Sequence, residues 1–397
     1  MTRALAGVDV PPSVWIIALG KAARGMARGA LETLAAAGRT AAGGILIGAH
    51  DPHGAALPLP SFPGNHPLPD SDSLRAAGAL EEMVSLVRPG DTVWILLSGG
   101  TSSLAGAPVG GISLPALREL FRAISRSGLH IGDANPIRRR FLRWGGGRLA
   151  AALAYAELQV LAISDVPGDD PATIGSGPCM PDPLTCADIL DRLDRHGLLD
   201  RIPAELIAWL TDPAAGQEHE TPKPDVIPAP PHRIILRNAD ALRAAAEEAR
   251  RRNYFADVIG VIDGEAREAG AGIGARLREA APGSCLLWGG ESTVTLAPDA
   301  GRGGRSQELA LAASAEIAGT KAMLLAAGTD GRDGPTDAAG AIVDGETAER
   351  LRAAALDPAA ALTRHDAYPT LDAVGALFRP GPTGTNVMDL VIGLCPR

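Results

Sequence analysis

The chain has 397 residues, 46% of them hydrophobic, and a formal net charge of −9. That length exceeds one small core and sets an expectation of two or three domains, while the hydrophobic content excludes general disorder. The acidic balance excludes a broad nucleic-acid binder. No apolar run approaches ~18 residues and MTRALAGVDVPPS lacks a signal-peptide core, so a cytoplasmic protein handling small molecules is expected.

VWIIALG (14–20) reads as a buried strand, followed by a helix over KAARGMARGALETLAAAG that ends on Gly38. GGILIG (43–48) predicts a second strand. A Pro-rich loop then reaches SFPGNHPLPDSDS, where Asp70 or Ser71 can cap the helix SLRAAGALEEMVSLV. DTVWILL (91–97) predicts a strand ending in SGGTSS, a helix starts near Leu114, and LQVLAIS (158–164) predicts a strand ending in DVPGDD. Strand, Gly-rich loop and helix in repetition predict a parallel sheet with helices on both faces, with ligands at the carboxyl ends of its strands. Residues 212–231 hold six prolines and read as a linker or exposed excursion. Beyond them RIILRNA, ADVIGVID, SCLLWGG, AMLLAAG and VMDLVIGL predict a second α/β unit. The expected division is an N-terminal domain 1–212, a linker 213–231 and a C-terminal domain 232–397.

Only Lys21, Lys223 and Lys321 are lysines among the 37 basic side chains, which singles out a lysine at a special position. Lys21 follows the first strand at a helix N-terminus, where its ammonium and nearby amides suit a phosphate; a solvated first-turn lysine is the alternative. In SGGTSS (98–103), Gly99 and Gly100 let the backbone approach a ligand, and the hydroxyls of Ser98, Thr101, Ser102 and Ser103 can donate to phosphate oxygens. Asp165 stands directly after a strand, able to accept a hydroxyl proton or hold Mg²⁺, while Asp169 and Asp170 read equally as turn residues. Arg305 precedes a helix, unfavourable against its dipole unless an anion lies between, and Glu291 stands in a turn. RRRFLRWGGGRLA (138–150) gathers five arginines, a solvated face or a site for a substrate anion. His66 lies in a proline-flanked loop. GTDGRDGPTDAAG (328–340) sets Asp330, Asp333 and Asp337 at the end of a buried strand, and GPTGTNVMDL supplies Thr383, Thr385, Asn386 and Asp389. The cysteines Cys179, Cys186, Cys285 and Cys395 lack zinc spacing and read as free thiols.

GKAA (20–23), NHPLPDS (65–71), LLSGG (96–100), SDVPGDDPATIGSGP (164–178), GGEST (289–293), GGRSQELAL (303–311), GTDGRDGPTDAAGAIVD (328–344) and PTGTNVMDL (382–390) together resemble the glycerate 2-kinase family, in the family's order over nearly the whole chain. The resemblance implies an α/β fold in two domains. The larger is an N-terminal Rossmann-like parallel sheet flanked by helices, the smaller a C-terminal MOFRL domain, with the active site in the cleft between them. It also implies ATP-dependent phosphorylation of D-glycerate at its 2-hydroxyl, with Mg²⁺. The family's functional lysine falls on Lys21 and its aspartate on Asp165.

On that reading Ser98, Gly99, Gly100, Thr101, Ser102, Glu291, Arg305, Thr329, Asp330, Asp333 and Asn386 are the phosphate- and nucleotide-binding candidates. His66, Arg138 and Arg139 would hold the substrate, Asp165 and Asp330 the metal, and Asp337 the loop itself. The partners implied are ATP and glycerate or a related hydroxy acid, with no nucleic acid or membrane and a homodimer left open. The chain reads IRRRFLRWGGGRLA (137–150) where the family tends toward VRKHLSRIKGGRLA, which removes a histidine able to transfer protons. It also reads TSSLAGAP after SGG and begins almost at the first strand. Two other readings stay open: an NAD(P)-dependent hydroxypyruvate reductase, a label some family members carry, and a divergent binding module without turnover. The reductase would need a GxGxxG turn after a strand, which the chain lacks.

Overall fold

The structure is a computed structural model that describes residues 10–50, 56–129, 131–296 and 299–397. The chain divides into two compact units at Ile235 and Leu236.

The first unit is built on β1 (Val14–Leu19), β2 (Ala41–Gly48), β3 (Ser61–Pro63), β4 (Thr92–Leu97), β5 (Glu157–Ile163) and β6 (His232–Leu236). They form one sheet in the order β3-β2-β1-β4-β5-β6, with β1, β2, β3, β4 and β5 mutually parallel. β1 and β4 are apolar at nearly every position because they are buried on both faces. Ile17, Leu19, Ile95 and Leu97 turn to one face with Ile45, Leu80 and Ala162. Removing one of these side chains costs about 2–5 kcal/mol. The helix Ser71–Val84 covers that face, and Asp70 caps it by accepting from the amides of Asp72 and Ser73.

A second core in the same unit is purely helical. Leu114–Arg126, Ile131–Arg140, Cys186–Arg195 and Ala204–Leu210 enclose Leu117, Leu120, Phe121, Ile137, Ile189, Leu193 and Trp209. The proline-rich stretch takes the second of its two expected forms, an exposed excursion, and it is anchored to this lobe. Thr221 is buried, and Glu220 pairs with Arg140 at 2.9 Å and with Lys223 at 2.7 Å. Burial alone would raise the Glu220 pKa. The Lys223 ammonium, the Cys186 amide and Arg140 outweigh it and hold the carboxyl down at about 2. RIILRNA, expected to open the second unit, instead supplies β6 at the edge of the first sheet.

The second unit carries β7 (Phe255–Ile262), β8 (Ser284–Gly290), β9 (Met323–Gly328), β10 (Gly340–Asp344), β11 (Leu377–Phe378) and β12 (Asp389–Cys395) in the order β11-β10-β9-β12-β8-β7. Only β7 and β8 pair in parallel; β12 returns between β8 and β9, antiparallel to both. The sheet is therefore mixed. Helices Ala266–Arg278 and Arg305–Glu316 share one core with Leu324, Ala326 and Val391, while Asn238–Arg251 contributes Leu242 and Ala246 to another with Leu287. Gly270 and Gly274, one turn apart, let the first two helices touch: a Cβ on Gly270 would fall 2.2 Å from the Leu309 carbonyl oxygen.

Candidate active site

The order of the first sheet reverses between β1 and β4, and the loops leaving these strands part there. Such a switch point is where open α/β sheets receive ligands. The two loops are fastened to each other. Ser98 is fully buried; its hydroxyl donates to the Leu19 carbonyl at 3.0 Å and accepts from the Ala22 amide at 3.0 Å. The Lys21 amide donates to the Gly99 carbonyl at 2.9 Å. Gly20, at φ +108°, passes so close that a Cβ would lie 2.4 Å from Ser98.

Three chemistry-bearing side chains converge on the next two residues. The Asp165 carboxylate, just past β5, lies against Gly99: a Cβ there would sit 1.6 Å from Oδ2. A Cβ on Gly100 (φ +83°) would sit 3.2 Å from Lys21 Cγ and 3.3 Å from His66 Cδ2. Gly99 and Gly100 are therefore the ground on which Lys21, His66 and Asp165 meet. The His66 loop is held by Ser103, whose hydroxyl donates to the Pro67 carbonyl at 2.6 Å, and by the Asn65 amide donating to Ser73 Oγ at 3.0 Å.

The hydroxyls expected to hold phosphate are largely engaged within the fold. Thr101 Oγ1 donates to the Ser98 carbonyl at 2.8 Å, and Ser102 Oγ pairs with Ser176 Oγ at 2.6 Å. The Lys21 and Ala22 amides are likewise taken by Gly99 and Ser98, so an anion here would meet the Lys21 ammonium and not those amides. Asp170 accepts from the Ala172 amide and the Thr173 hydroxyl, as a turn residue does.

In the second unit the carboxyl ends of β8 and β9 meet the first residue of β12, Asp389, which pairs with Gly290 on one side and Gly328 on the other. Arg305, at the start of its helix, forms a two-point ion pair with Asp389 and a contact of 2.5 Å with Glu291. The anion that the helix dipole requires beside Arg305 is thus internal. Burial alone would lower the Arg305 pKa; Asp389, Glu291 and Asp333 hold it above the ordinary value.

Asp333 departs from its expected place at a ligand. It is 4% exposed and caps the helix Arg305–Glu316, accepting from the Ser306 amide at 3.2 Å and the Gln307 amide at 2.8 Å. Burial, with the neighbouring Asp389 charge, raises its pKa to about 7 against the pull of those amides and of Arg305. Asp337 ties the loop outward through the Tyr368 hydroxyl at 2.6 Å and Arg379 at 3.3 Å. Thr329 closes the cluster: its hydroxyl donates to the Met388 carbonyl at 2.6 Å, approaches Asn386 Oδ1 at 3.4 Å and accepts from the Val387 amide. Asp330 Oδ1 accepts from the Arg332 amide at 3.0 Å beside Gly328.

Residues 3–211 match the domain of unknown function DUF4147 and residues 284–389 match the MOFRL family. A D-glycerate 2-kinase of Thermotoga maritima is 36% identical over 395 residues, 96% of this chain and 90% of that protein. A glycerate 2-kinase of Pyrococcus horikoshii is 35% identical over 394 residues, 97% of this chain and 88% of its own. The chain belongs to the glycerate 2-kinase family. The crystal structure of a Thermotoga maritima glycerate kinase superposes with a TM-score of 0.81 at 35% identity, covering 99% of this chain and 95% of that one. A protein of Agrobacterium vitis named as a hydroxypyruvate reductase is 40% identical over 337 residues, 82% of this chain and 75% of that protein.

Within this glycerate 2-kinase family member the three adjacent arginines have separate fates. Arg139 is buried and bound to Asp182 at 2.8 Å and to the Ala172 carbonyl at 3.3 Å, so it holds the fold together where a substrate contact was expected. Arg140 is fully buried between Asp182 and Glu220. Arg138 has no acidic partner among the described residues; its guanidinium lies 5.5 Å from the centre of the Phe121 ring, its Nε has no hydrogen-bond acceptor, and burial lowers its pKa. Of the three, Arg138 is the desolvated cation left without a countercharge among the described residues.

No group of three or more His, Cys, Asp or Glu side chains arranged for a metal occurs among the described residues. A magnesium ion keeps most of its waters and takes one or two carboxylates plus phosphate oxygens, which a single carboxylate such as Asp165 fits. Asp389 and Ser176 were not singled out for these roles from sequence. The signals available were their places in PTGTNVMDL and IGSGP, which do not reveal partners 84 and 74 residues away.

Proposed function

We propose that this protein transfers the terminal phosphoryl group of ATP to the 2-hydroxyl of D-glycerate, giving 2-phosphoglycerate. The observation that carries the reading is the convergence of Lys21, His66 and Asp165 on Gly99 and Gly100 at the switch point. Phosphoryl transfer asks for positioning and charge neutralisation more than for covalent chemistry. Asp165 orients the 2-hydroxyl and accepts its proton, Lys21 offsets charge on the transferring group, and Arg138 binds the glycerate carboxylate. His66 borders the substrate. ATP supplies the phosphoryl group, and Mg²⁺ would be held by Asp165, where it would supply countercharge to the phosphate oxygens.

The reductase reading is disfavoured by the same loop. In GKAARG (20–25) the middle glycine of a dinucleotide fingerprint is Ala22, and the Lys21 and Ala22 amides that would approach a pyrophosphate are already bonded. Purified protein with ATP, Mg²⁺ and D-glycerate should release ADP and form 2-phosphoglycerate, identified by phosphorus NMR. Absence of ADP release with D-glycerate and related hydroxy acids would sink the assignment.

A further inference from the structure

A cavity opens in the helical lobe of the first unit, with no lining residue from the loops that carry Lys21, His66, Ser98–Ser102 or Asp165. It measures about 530 Å³, and a neighbouring one of 610 Å³ shares its Gly111, Trp209 and His219. Arg148 and Arg143 line the first. Trp209 and His219 form one wall as a stacked pair, with centroids 3.9 Å apart and ring planes 12° apart. The His219 Nδ1 lies 2.7 Å from the Trp209 carbonyl, which fixes the ring in place.

The lining sets Arg143 and Arg148 against Glu218, the adjoining cavity adds Glu205 and Asp212, and Arg148 is the lining cation without an ion-pair partner among the described residues. Arg148 NH1 donates to the carbonyls of Arg139 and Leu142, each at 3.2 Å, which locks the guanidinium in one orientation. No carboxylate lies within ion-pair distance of Arg148 among the described residues. Behind it Arg139, Arg140 and Lys223 share only Asp182 and Glu220. Arg148 thus adds a fourth cation to two carboxylates. Burial, with the Arg140 charge, lowers its pKa to about 10, although Asp182, Cys186 and Glu220 pull the other way. Arg143 pairs with Glu81 at 2.7 Å, and Glu218 is exposed at the edge. A half-buried cation with no direct ion pair gains from an anion that completes it, and the cavity is the open space beside this one.

We propose that the Arg148 cavity binds a small oxyanion, a carboxylate or a phosphate monoester, against the Trp209–His219 wall. Arg148 provides fixed donors, as an arginine does for planar or tetrahedral oxyanions. Arg143 adds a second cation at the mouth, and the stacked rings cover the apolar part of the ligand. A hydroxyl on the ligand would find an acceptor in Glu218.

Isothermal titration of the full chain, without nucleotide or metal, tests this with inorganic phosphate, D-glycerate and 2-phosphoglycerate as probes. At least one probe should bind saturably to the wild type and equally to Lys21→Met, which alters only the switch-point loops. Arg143→Ala should weaken that binding at least tenfold, and Arg148→Met should abolish it. Because Arg148→Met removes backbone hydrogen bonds and can fail to fold, Arg143→Ala and a probe-induced shift of the His219 ring resonances carry the test independently. Weakening by Arg143→Ala of phosphate binding but not of D-glycerate binding assigns a phosphate site, and the converse a carboxylate site. Binding by none of the probes, binding that Lys21→Met abolishes, or binding that Arg143→Ala leaves at wild-type strength overturns the proposal.

Discussion

Arg305 and Asp389 meet through two parallel contacts, Nε to Oδ2 at 2.5 Å and NH2 to Oδ1 at 3.0 Å, joining a helix start to the first residue of the last strand. Asp389 is buried and Arg305 about a third exposed, so the pair lies between a surface and a core ion pair. Asp389→Ala should destabilise the protein by about 2 kcal/mol, below the ~3–5 of a fully buried pair because solvent and Glu291 partly compensate Arg305. Thermal unfolding checks this, and a Tm within 1 °C of wild type would contradict it.

Removing the reacting groups should separate activity from stability. Asp165→Asn and Lys21→Met should each lower kcat by about 10²–10⁴-fold while Tm changes little, since both side chains are partly exposed. Initial rates of ADP release, read beside a melting curve for each variant, decide the point.

Gly99→Ala gives a steric version of the same experiment. The new methyl would overlap the Asp165 carboxylate, which must move or turn. A displacement of about 1 Å at a reacting group costs on the order of 10²-fold in rate. Gly25→Ala, whose Cβ would meet nothing within 4 Å, should leave the rate unchanged and serves as the control.

Arg138 and Arg139 are neighbours with opposite predicted phenotypes. Arg138→Ala should raise KM for glycerate about tenfold or more with Tm near wild type. Arg139→Ala breaks a buried pair with Asp182 and should cost about 3 kcal/mol, a Tm loss of roughly 5–10 °C. Equal effects of the two substitutions on KM would count against the assignment.

Asp333 sets a pH dependence of stability. Its folded pKa of about 7 stands above the unfolded 3.8, so the folded state binds the extra proton and stability falls as pH rises from about 4 to about 7. Glu220, held down at about 2, acts in the opposite sense and only below its ordinary value of 4.5. Asp333→Asn keeps one of the two capping acceptors, a loss that does not vary with pH, and cannot ionise. Its Tm relative to wild type should therefore rise between pH 4.5 and pH 7.5, and a constant difference would refute the assignment.

Much of the first sheet was legible in the sequence. VWIIALG, GGILIG, DTVWILL and LQVLAIS became β1, β2, β4 and β5 with ends shifted by a residue or two, because central parallel strands are apolar throughout. The mixed pairing of the second sheet was not legible, since an apolar run records burial and not direction. Nor was the attachment of residues 212–231, where proline content leaves a linker or an exposed excursion open and the Glu220 and Lys223 ion pairs decide for an anchored excursion.

By itself, then, the sequence determined the strands, the loops at their ends and the family. Those properties are written in local periodicity and in contiguous motifs. The tertiary structure alone decided which polar groups are already satisfied. The Ser98 hydroxyl is taken by a carbonyl 79 residues away, Asp333 by a helix start 26 and 27 residues away, and Arg139 by Asp182, 43 residues away, whereas Arg138 keeps its charge unpaired among the described residues. A side chain's availability for chemistry depends on the partners that folding brings to it, and chain spacing does not encode them.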